Sequence, residues 1–377
     1  MSDQSVLSES VLFETRETSN GKLLAIATLN AEKTLNSLSM EMVDSLYAQL
    51  LEWQRDEKVV AVFLQAAGEK AFCAGGDVQK LRQSSLDNPG GPCEYAETFF
   101  EHEYRLDYTI HEYKKPIICW GHGIVMGGGL GVMVGSKHRV VTEKTRMAMP
   151  EITIALYPDV GGSYFLNHAP GRTGLYLALT AASMNAADCL YVGYADYFIE
   201  HERKADVIDQ LANLTWSGNA VTDHDAITMV LNNIAQGSED ALPAGNIEPH
   251  FDTIQQLTDY ETLPEIVDAI TSFETEDKWL QKGAAALAHG SPLSACNIYQ
   301  ALNLTKTLSL AEVFRFELML STNVVRYPEF AEGVRALLID KDNQPKWQHA
   351  SVSDVPADLL ASMVTPPWDE NPLSDLQ

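Results

Sequence analysis

The sequence has few basic residues. Its 377 residues include 26 Lys and Arg against 52 Asp and Glu, so the formal net charge is −26. Nucleic acids and anionic membranes attract proteins through basic surfaces, and this charge balance therefore argues against either as a main partner. An anionic ligand would need a local basic patch or free backbone N–H groups within an acidic whole.

Paired cysteines are also missing. The five cysteines are widely spaced and form no CxxC motif, which argues against a zinc ribbon or a disulfide framework and favours a reducing compartment. We predict no metal site. The N-terminal segment MSDQSVLSESVLFE has no basic or apolar targeting region, and it contains acidic residues that transit peptides avoid. We therefore expect a cytoplasmic protein.

Several common motifs are absent. The sequence contains no GxGxxG, GxxxxGK[ST], GxSxG or HExxH pattern, which removes the usual support for nucleotide binding, a serine hydrolase or a zinc protease. Residues 116–136 carry no Asp, Glu, Lys or Arg, but seven of these 21 residues are Gly. The apolar stretches beside the glycines are too short to cross a bilayer. We predict a buried strand, a tight turn and a buried helix there.

The first half of the chain alternates between strand-like and helix-like segments. Strands are predicted at 23–29, 59–65 and 138–142 and from Ile117 onward, and a helix capped by Ser39 follows the first of them. Strands separated by helices indicate crossover connections and a largely parallel sheet. From about residue 206 the pattern becomes one of amphipathic helices. We predict an α/β fold with a helical C-terminal region.

Three segments can carry chemistry. Two are glycine-rich, 70–78 and 121–131, and each precedes a predicted helix, where backbone N–H groups lack partners. Two such donors that face one point form an oxyanion hole, although each segment taken alone is better explained as a tight turn that only Gly can make. The third segment, 149–162, places Glu151 and Asp159 among apolar residues. These carboxylates fit either a general base and its partner or a local cap and turn.

The three segments occur in an order that resembles one family. FCAGGDVQKL, HGIVMGGGLG and AMPEITIALYPDVGG, together with LNSLSMEMV, resemble the crotonase (enoyl-CoA hydratase/isomerase) superfamily. The resemblance implies a spiral of ββα turns over residues 10–205, which holds the active site, with a mainly α-helical region over 206–377 packed on it. It also implies that Gly76 and Gly128 provide the oxyanion-hole N–H groups.

The departures from the hydratase pattern indicate a branch of this family. Hydratases carry a second glutamate where this sequence has Gly131, whereas Glu151 and Asp159 are similar to the 3-hydroxyisobutyryl-CoA hydrolase branch. FFEHEYRLDYTI, which contains Glu103, and residues 329–347 are similar to that branch as well. The resemblance implies hydrolysis of 3-hydroxyisobutyryl-CoA, and of 3-hydroxypropionyl-CoA, which differs by one methyl group, as in valine degradation.

The resemblance also implies a role for each residue. Glu151 would act as general base or as nucleophile, Asp159 would orient the water or the substrate hydroxyl, and Glu103 would recognise that hydroxyl. Lys33 would bind a phosphate of coenzyme A, although Ala31 and Glu32 replace the Arg-Pro pair common in the family. No separate cofactor is expected, because coenzyme A is part of the substrate. Relatives of this fold usually form homo-oligomers.

Two other classes of function stay open. An enoyl-CoA hydratase or isomerase would use the same oxyanion hole, with Glu151 carrying the proton. A non-catalytic acyl-CoA-binding protein would keep the fold without the chemistry.

Overall fold

The computed structural model describes residues 10–377, so part of the N-terminal segment used for the localisation prediction lies outside the described residues. Within residues 10–377, nine strands form two sheets. The strands are β1 (Val11–Glu17), β2 (Leu23–Leu29), β3 (Val59–Ala66), β4 (Ala71–Cys73), β5 (Ile117–Gly121), β6 (Ile124–Met126), β7 (His138–Val141), β8 (Arg146–Ala148) and β9 (Tyr197–Phe198).

In the described part of the chain, sixteen α-helices connect and cover these sheets. They are α1 (Met40–Arg55), α2 (Val78–Asp87), α3 (Glu94–His111), α4 (Gly128–Val134), α5 (Gly162–Asn167), α6 (Thr173–Thr180), α7 (Ala186–Tyr191), α8 (Lys204–Ala212), α9 (Ala220–Ala235), α10 (Phe251–Thr258), α11 (Leu263–Thr271), α12 (Lys278–His289), α13 (Pro292–Thr305), α14 (Leu310–Arg326), α15 (Pro328–Val334) and α16 (Ala357–Met363).

The predicted strands and caps of the first half are present. The β2 strand has the predicted bounds, and β3 extends one residue further than predicted. The Ser39 hydroxyl accepts a hydrogen bond from the Met42 N–H at 3.2 Å and begins α1. The Asp77 carboxylate accepts one from the Lys80 N–H at 3.3 Å and begins α2. Local polar side chains therefore determine where both helices begin.

The sheets are built by a repeated unit. The large sheet has the order β1-β2-β3-β5-β7-β9 and the small sheet the order β4-β6-β8. All pairs of neighbouring strands are parallel except β1 and β2. Each repeat, such as β5-β6-α4, gives one strand to each sheet and then a helix. The predicted α/β fold is thus confirmed; the resemblance implied the two strands of each ββα turn, whereas the periodicity of the sequence did not reveal the small sheet.

The uncharged segment 116–136 contains β5, β6 and α4, so it holds one strand more than predicted. Strands of three residues, such as β6, are too short to show a periodicity. Among residues 10–377, no helix is both long and apolar enough to cross a membrane.

The C-terminal helices pack on both sides of this core. Helices α8 and α9 cover one face of the large sheet, where Leu211 and Ile227 join a buried cluster with Phe63 and Trp120. Helix α14 packs against α3, with the ring centroids of Phe314 and Tyr104 6.0 Å apart. Side chains from both halves share the main hydrophobic cluster. This close packing of α14 on α3 contributes to the active site described below.

Candidate active site

A single cavity of about 840 Å³ is lined by every residue that the sequence suggested for the site. Its walls come from the turn before α1, the segment before α2, one face of α3, the segment before α4, and the chain between β8 and α5. The predicted residues in these walls are Lys33, Gly76, Glu103, Gly128, Glu151 and Asp159.

The two glycine segments lie against each other in the cavity wall. A methyl group at Gly75 would lie 3.4 Å from the Met126 carbonyl oxygen and 3.9 Å from the Gly128 nitrogen. Gly75 and Gly127 have φ angles of +104° and +50°, which Gly adopts without the strain imposed by a side chain. Within residues 10–377 the N–H groups of Gly76 and Gly128 form no hydrogen bond. Both donors remain available to a ligand oxygen.

Glu103 lies beside these donors. Its side chain comes from the middle of α3, it is 2% exposed, and its Oε1 atom has no hydrogen-bond partner in the described part of the chain. A methyl group at Gly128 would overlap this oxygen, and one at Gly76 would lie 3.8 Å from it. Burial and the nearby Asp159 and Glu151 carboxyls raise the pKa of Glu103 well above its usual range. A neutral Glu103 carboxyl is therefore favoured next to the two N–H groups.

Glu151 lines the same cavity and lies next to the glycine segment before α4. It begins a 3₁₀ turn, Glu151–Ile154, directly after β8, and its Oε1 atom would lie 3.0 Å from a methyl group at Gly127. The Oε2 atom is buried without a hydrogen-bond partner among the described residues. Burial and the neighbouring Asp159 raise the pKa of Glu151 well above its usual range. Such a carboxyl has the environment of a general base that works near neutral pH.

Asp159 is held by a tyrosine. The Tyr104 hydroxyl, one residue after Glu103 on α3, lies 2.6 Å from Asp159 Oδ2. Burial raises the pKa of Asp159 to about 6, although a hydrogen bond donated by Tyr104 lowers it. Asp159 therefore titrates close to the physiological range.

Two further buried carboxyls surround the site, and the sequence analysis did not identify them. Asp107 is one helical turn after Glu103 on α3, is 0% exposed, and neither of its oxygens has a hydrogen-bond partner in the described residues. Glu317 of α14 accepts hydrogen bonds from the N–H groups of Gly161 at 2.7 Å and Ser163 at 2.8 Å. The spacing of four residues from Glu103 could have identified Asp107. No sequence signal links Glu317 to the site.

The structure also explains the glycine at position 131. A methyl group there would lie 2.6 Å from Val160 Cβ and 3.0 Å from the Val160 carbonyl oxygen. A glutamate therefore does not fit at Gly131 unless Val160 moves. The sequence lacks the second hydratase glutamate, and the packing of Val160 also leaves no room for its side chain at position 131.

Two lysines are the cationic residues of the cavity wall within the described chain: the predicted Lys33 and, in addition, Lys341. Lys341 follows a π-helical segment, Arg335–Ile339, that continues α15. The Arg335 guanidinium bridges Asp340 at 2.6 Å and Asp342 at 2.8 Å, so both acidic neighbours of Lys341 are paired. The lysine charge is left for another partner.

Comparison with known proteins identifies the family. The model of the family described as enoyl-CoA hydratase/isomerase matches residues 24–364. Several relatives are named 3-hydroxyisobutyryl-CoA hydrolase, mitochondrial, among them the protein from Danio rerio, which is 36% identical over 88% of this chain and 84% of its own length. A Neurospora crassa relative named small ribosomal subunit protein mS47 is 32% identical over 87% of this chain and 66% of its own.

Solved structures agree with this relationship. A carnitinyl-CoA dehydratase from Mycobacterium thermoresistibile superposes with a TM-score of 0.84 at 31% identity, and the match covers 97% of this chain and 99% of that one. This likeness confirms the predicted crotonase-like fold.

The predicted cytoplasmic location is wrong by the same comparisons, since the hydrolase relatives are designated mitochondrial. That prediction rested on the absence of a basic or apolar targeting region in the N-terminal segment. Fold, sequence similarity and the family match agree: the chain belongs to the enoyl-CoA hydratase/isomerase family.

Proposed function

We propose that this protein hydrolyses the thioester of 3-hydroxyisobutyryl-CoA, and of 3-hydroxypropionyl-CoA, to the free hydroxy acid and coenzyme A. One observation carries the proposal: Glu151 lines the same cavity as the two free N–H groups of Gly76 and Gly128, while Val160 leaves no room for a second glutamate at position 131. Hydration of a double bond needs two glutamates in this family, whereas attack on a thioester needs one. The names of the hydrolase relatives support the same reaction.

The two N–H groups would hold the thioester oxygen. As water or a carboxylate adds to the acyl carbon, the oxygen becomes an oxyanion, and each donor of this kind contributes about 3 kcal/mol to the transition state. The neutral form of Glu103 favoured by its buried position keeps a second negative charge away from that oxygen. The oxyanion hole is thus suited to charge that develops only during the reaction.

Glu151 would act in one of two ways. As general base it takes a proton from water while the water oxygen bonds to the acyl carbon, the C–S bond breaks, and Glu151 returns the proton to the coenzyme A sulfur. As nucleophile its carboxylate oxygen bonds to the acyl carbon while the C–S bond breaks, so coenzyme A leaves as the thiolate and a mixed anhydride remains. Water then hydrolyses the anhydride, which regenerates the Glu151 carboxylate and supplies the proton that the thiolate takes up. Both routes need the ionised carboxylate of Glu151.

Glu103 and Asp159 would select and orient the acyl group. A buried carboxyl that pairs with the substrate hydroxyl is left without that partner when the acyl group lacks the hydroxyl, which disfavours such substrates. Asp159 would orient the attacking water or the same hydroxyl. Lys33, together with Lys341, would bind phosphates of coenzyme A at the cavity mouth. No separate cofactor takes part in this scheme; a place in valine degradation and homo-oligomer formation stay predictions.

The test uses two substrates. The protein is incubated with 3-hydroxyisobutyryl-CoA and with crotonyl-CoA while free thiol and enoyl absorbance are followed. We expect thiol release from the first substrate, reduced at least about 10³-fold by Glu151→Gln, because the attacking group is lost. The exposed Glu274→Gln variant is the control and should keep full activity.

The same assay separates the alternatives. Loss of enoyl absorbance without thiol release would replace the proposal with a hydratase. If neither substrate gives thiol release or loss of enoyl absorbance, but calorimetry shows acyl-CoA binding, a non-catalytic binding protein would be favoured.

A further inference from the structure

A continuous chain of hydroxyl groups runs from Asp159 to helix α14. The Tyr104 hydroxyl lies 2.6 Å from Asp159 Oδ2 and 2.6 Å from Ser321 Oγ. Ser321 Oγ lies 2.9 Å from the Tyr157 hydroxyl, which lies 2.8 Å from the Glu317 carbonyl oxygen. Three hydroxyls thus stand between a carboxyl group and a carbonyl group.

The number of protons in this chain depends on Asp159. The chain has four oxygen–oxygen contacts, and each hydroxyl supplies one proton, which makes three. The Glu317 carbonyl oxygen and an ionised Asp159 can only accept. With Asp159 ionised, one contact therefore has no hydrogen; with a proton on Asp159 Oδ2, every contact has one.

We propose that these hydroxyls form a relay that raises the affinity of Asp159 for a proton in the free enzyme, with Tyr104, Ser321 and Tyr157 as positioning residues. When Asp159 loses this proton, Tyr104 must donate to the carboxylate, and the contact without a hydrogen moves along the chain. The 2.9 Å contact between Tyr157 and Ser321 is the longest and is the one most easily given up. The protonation state of the active site is thus transmitted to α14.

The other titratable groups near Asp159 are acidic. They are the carboxyls of Glu103 and Asp107 on α3, of Glu151 at the 3₁₀ turn and of Glu317 on α14, and the Tyr157 phenol of the hydroxyl chain itself. The pKa of His111, at the end of α3, is lowered to about 4 by burial, so this ring is uncharged. Within the described residues, no cation contributes to the pKa of Asp159. Its surroundings therefore favour the neutral acid.

The relay predicts opposite effects for neighbouring hydroxyls. When Asp159 is ionised, one oxygen–oxygen contact of the chain has no hydrogen. Ser321→Ala and Tyr157→Phe each remove that contact, so Tyr104 is free to donate to the Asp159 carboxylate. We expect the pKa of Asp159 to fall in both variants, by up to about one unit, a tenfold change in acid dissociation. Tyr104→Phe removes the donor itself, so the pKa should rise. Ser321→Thr keeps a hydroxyl and should restore the wild-type value.

The relay depends on the proposed function only for the role of Asp159 in the reaction. The test of the relay therefore uses substrate-free protein. The carbonyl stretch of protonated aspartate is titrated by infrared spectroscopy in protein labelled with 13C-aspartate, and the band missing in Asp159→Asn identifies the group. Shifts of opposite sign in Ser321→Ala and Tyr104→Phe support the relay. Shifts of the same sign, or no shift in Ser321→Ala and Tyr157→Phe, overturn it.

The pH profile of thioester hydrolysis gives the second readout. If the infrared shifts appear but no hydrolysis is detected, the proposed function fails while the relay stands. If hydrolysis is normal and the infrared shifts are absent, the relay fails while the proposed function stands.

Discussion

At the scale of single residues, the site is defined by polar groups that the fold leaves without partners. The N–H groups of Gly76 and Gly128 and oxygens of Glu103 and Glu151 are buried or enclosed without hydrogen bonds within residues 10–377. Burial of such groups costs stability unless a ligand or a proton satisfies them. Their concentration in one cavity indicates a site shaped for a polar ligand and not for stability.

Gly128→Ala tests the most crowded of these positions. The added methyl group would overlap Glu103 Oε1 and lie 3.3 Å from Leu38 Cδ1, so it would displace the Glu103 carboxyl and block the approach to the N–H group. We expect kcat for thioester hydrolysis to fall by about 10²-fold or more, the usual loss when one oxyanion donor is removed. Thermal unfolding should show that the variant folds. A folded variant with wild-type kcat would contradict the role of Gly128.

At the scale of secondary structure, the C-terminal helices complete the active site. Helix α15 packs so closely on the 3₁₀ turn of Glu151 that a methyl group at Gly333 would lie 2.6 Å from Ile154 Cα. The π-helical segment that follows places Lys341 at the mouth of the cavity. Helix α15 and the π-helical segment after it therefore support the 3₁₀ turn of Glu151 and also supply the Lys341 cation for the ligand.

Lys341→Ala should therefore weaken binding of coenzyme A esters without affecting the chemical step. Loss of a partly solvated contact between a lysine and a phosphate costs about 1 kcal/mol, so we expect KM to rise about fivefold while kcat stays unchanged. Lys33→Ala should behave in the same way. The exposed Lys282→Ala is the matched control. A fall in kcat with unchanged KM would show that Lys341 supports the catalytic turn instead of the ligand.

At the scale of the whole molecule, both halves of the chain meet around a group of buried acids. Helix α14 brings Glu317 and Ser321 to the loop that carries Asp159, and hydrophobic side chains from both halves share one cluster. Burial raises the pKa of Glu317 to about 8, although it accepts two backbone hydrogen bonds. The folded protein therefore holds protons that the unfolded chain releases.

The protons that the folded protein holds on its buried carboxyls predict how the free energy of unfolding depends on pH. A carboxyl whose pKa is higher in the folded state makes folding less favourable as pH rises through that range. Buried histidines with a pKa lowered to about 4, such as His122 and His138, act in the opposite direction, but only below their usual value of 6.5. Between pH 6.5 and 8 the carboxyls dominate, so the free energy of unfolding should fall.

Urea unfolding at pH 6.5 and at pH 8 measures this change. We expect Glu317 to contribute about 1–2 kcal/mol of the decrease, since one unit of pKa difference corresponds to about 1.4 kcal/mol. Glu317→Gln should flatten the pH dependence, whereas the exposed Glu274→Gln should leave it unchanged. Stability that rises between these two pH values would show that the buried acids are ionised in the folded protein.

Much of this architecture could be predicted from local sequence, and the rest could not. Segments of seven or more residues, such as β2 and α1, show their periodicity and caps directly. The three-residue strands of the small sheet are too short for that, and they become strands only because neighbouring repeats pair with them. Likewise the contact between Tyr104 and Ser321 joins residues 217 positions apart, and only the packing of α14 on α3 creates it. Motif glycines and carboxylates were predictable, but their hydrogen-bond partners were not.

The close approach of Gly131 to Val160 has a consequence for evolution within the family. A hydratase glutamate at position 131 requires Val160 to shift or to be replaced, because its Cβ would lie 2.6 Å from Val160 Cβ. Val160 has a φ of +54°, which is unfavourable for a β-branched residue, so its replacement by glycine would relieve strain and create space. The two positions are therefore coupled: a side chain at 131 is accommodated only when residue 160 shifts or becomes smaller.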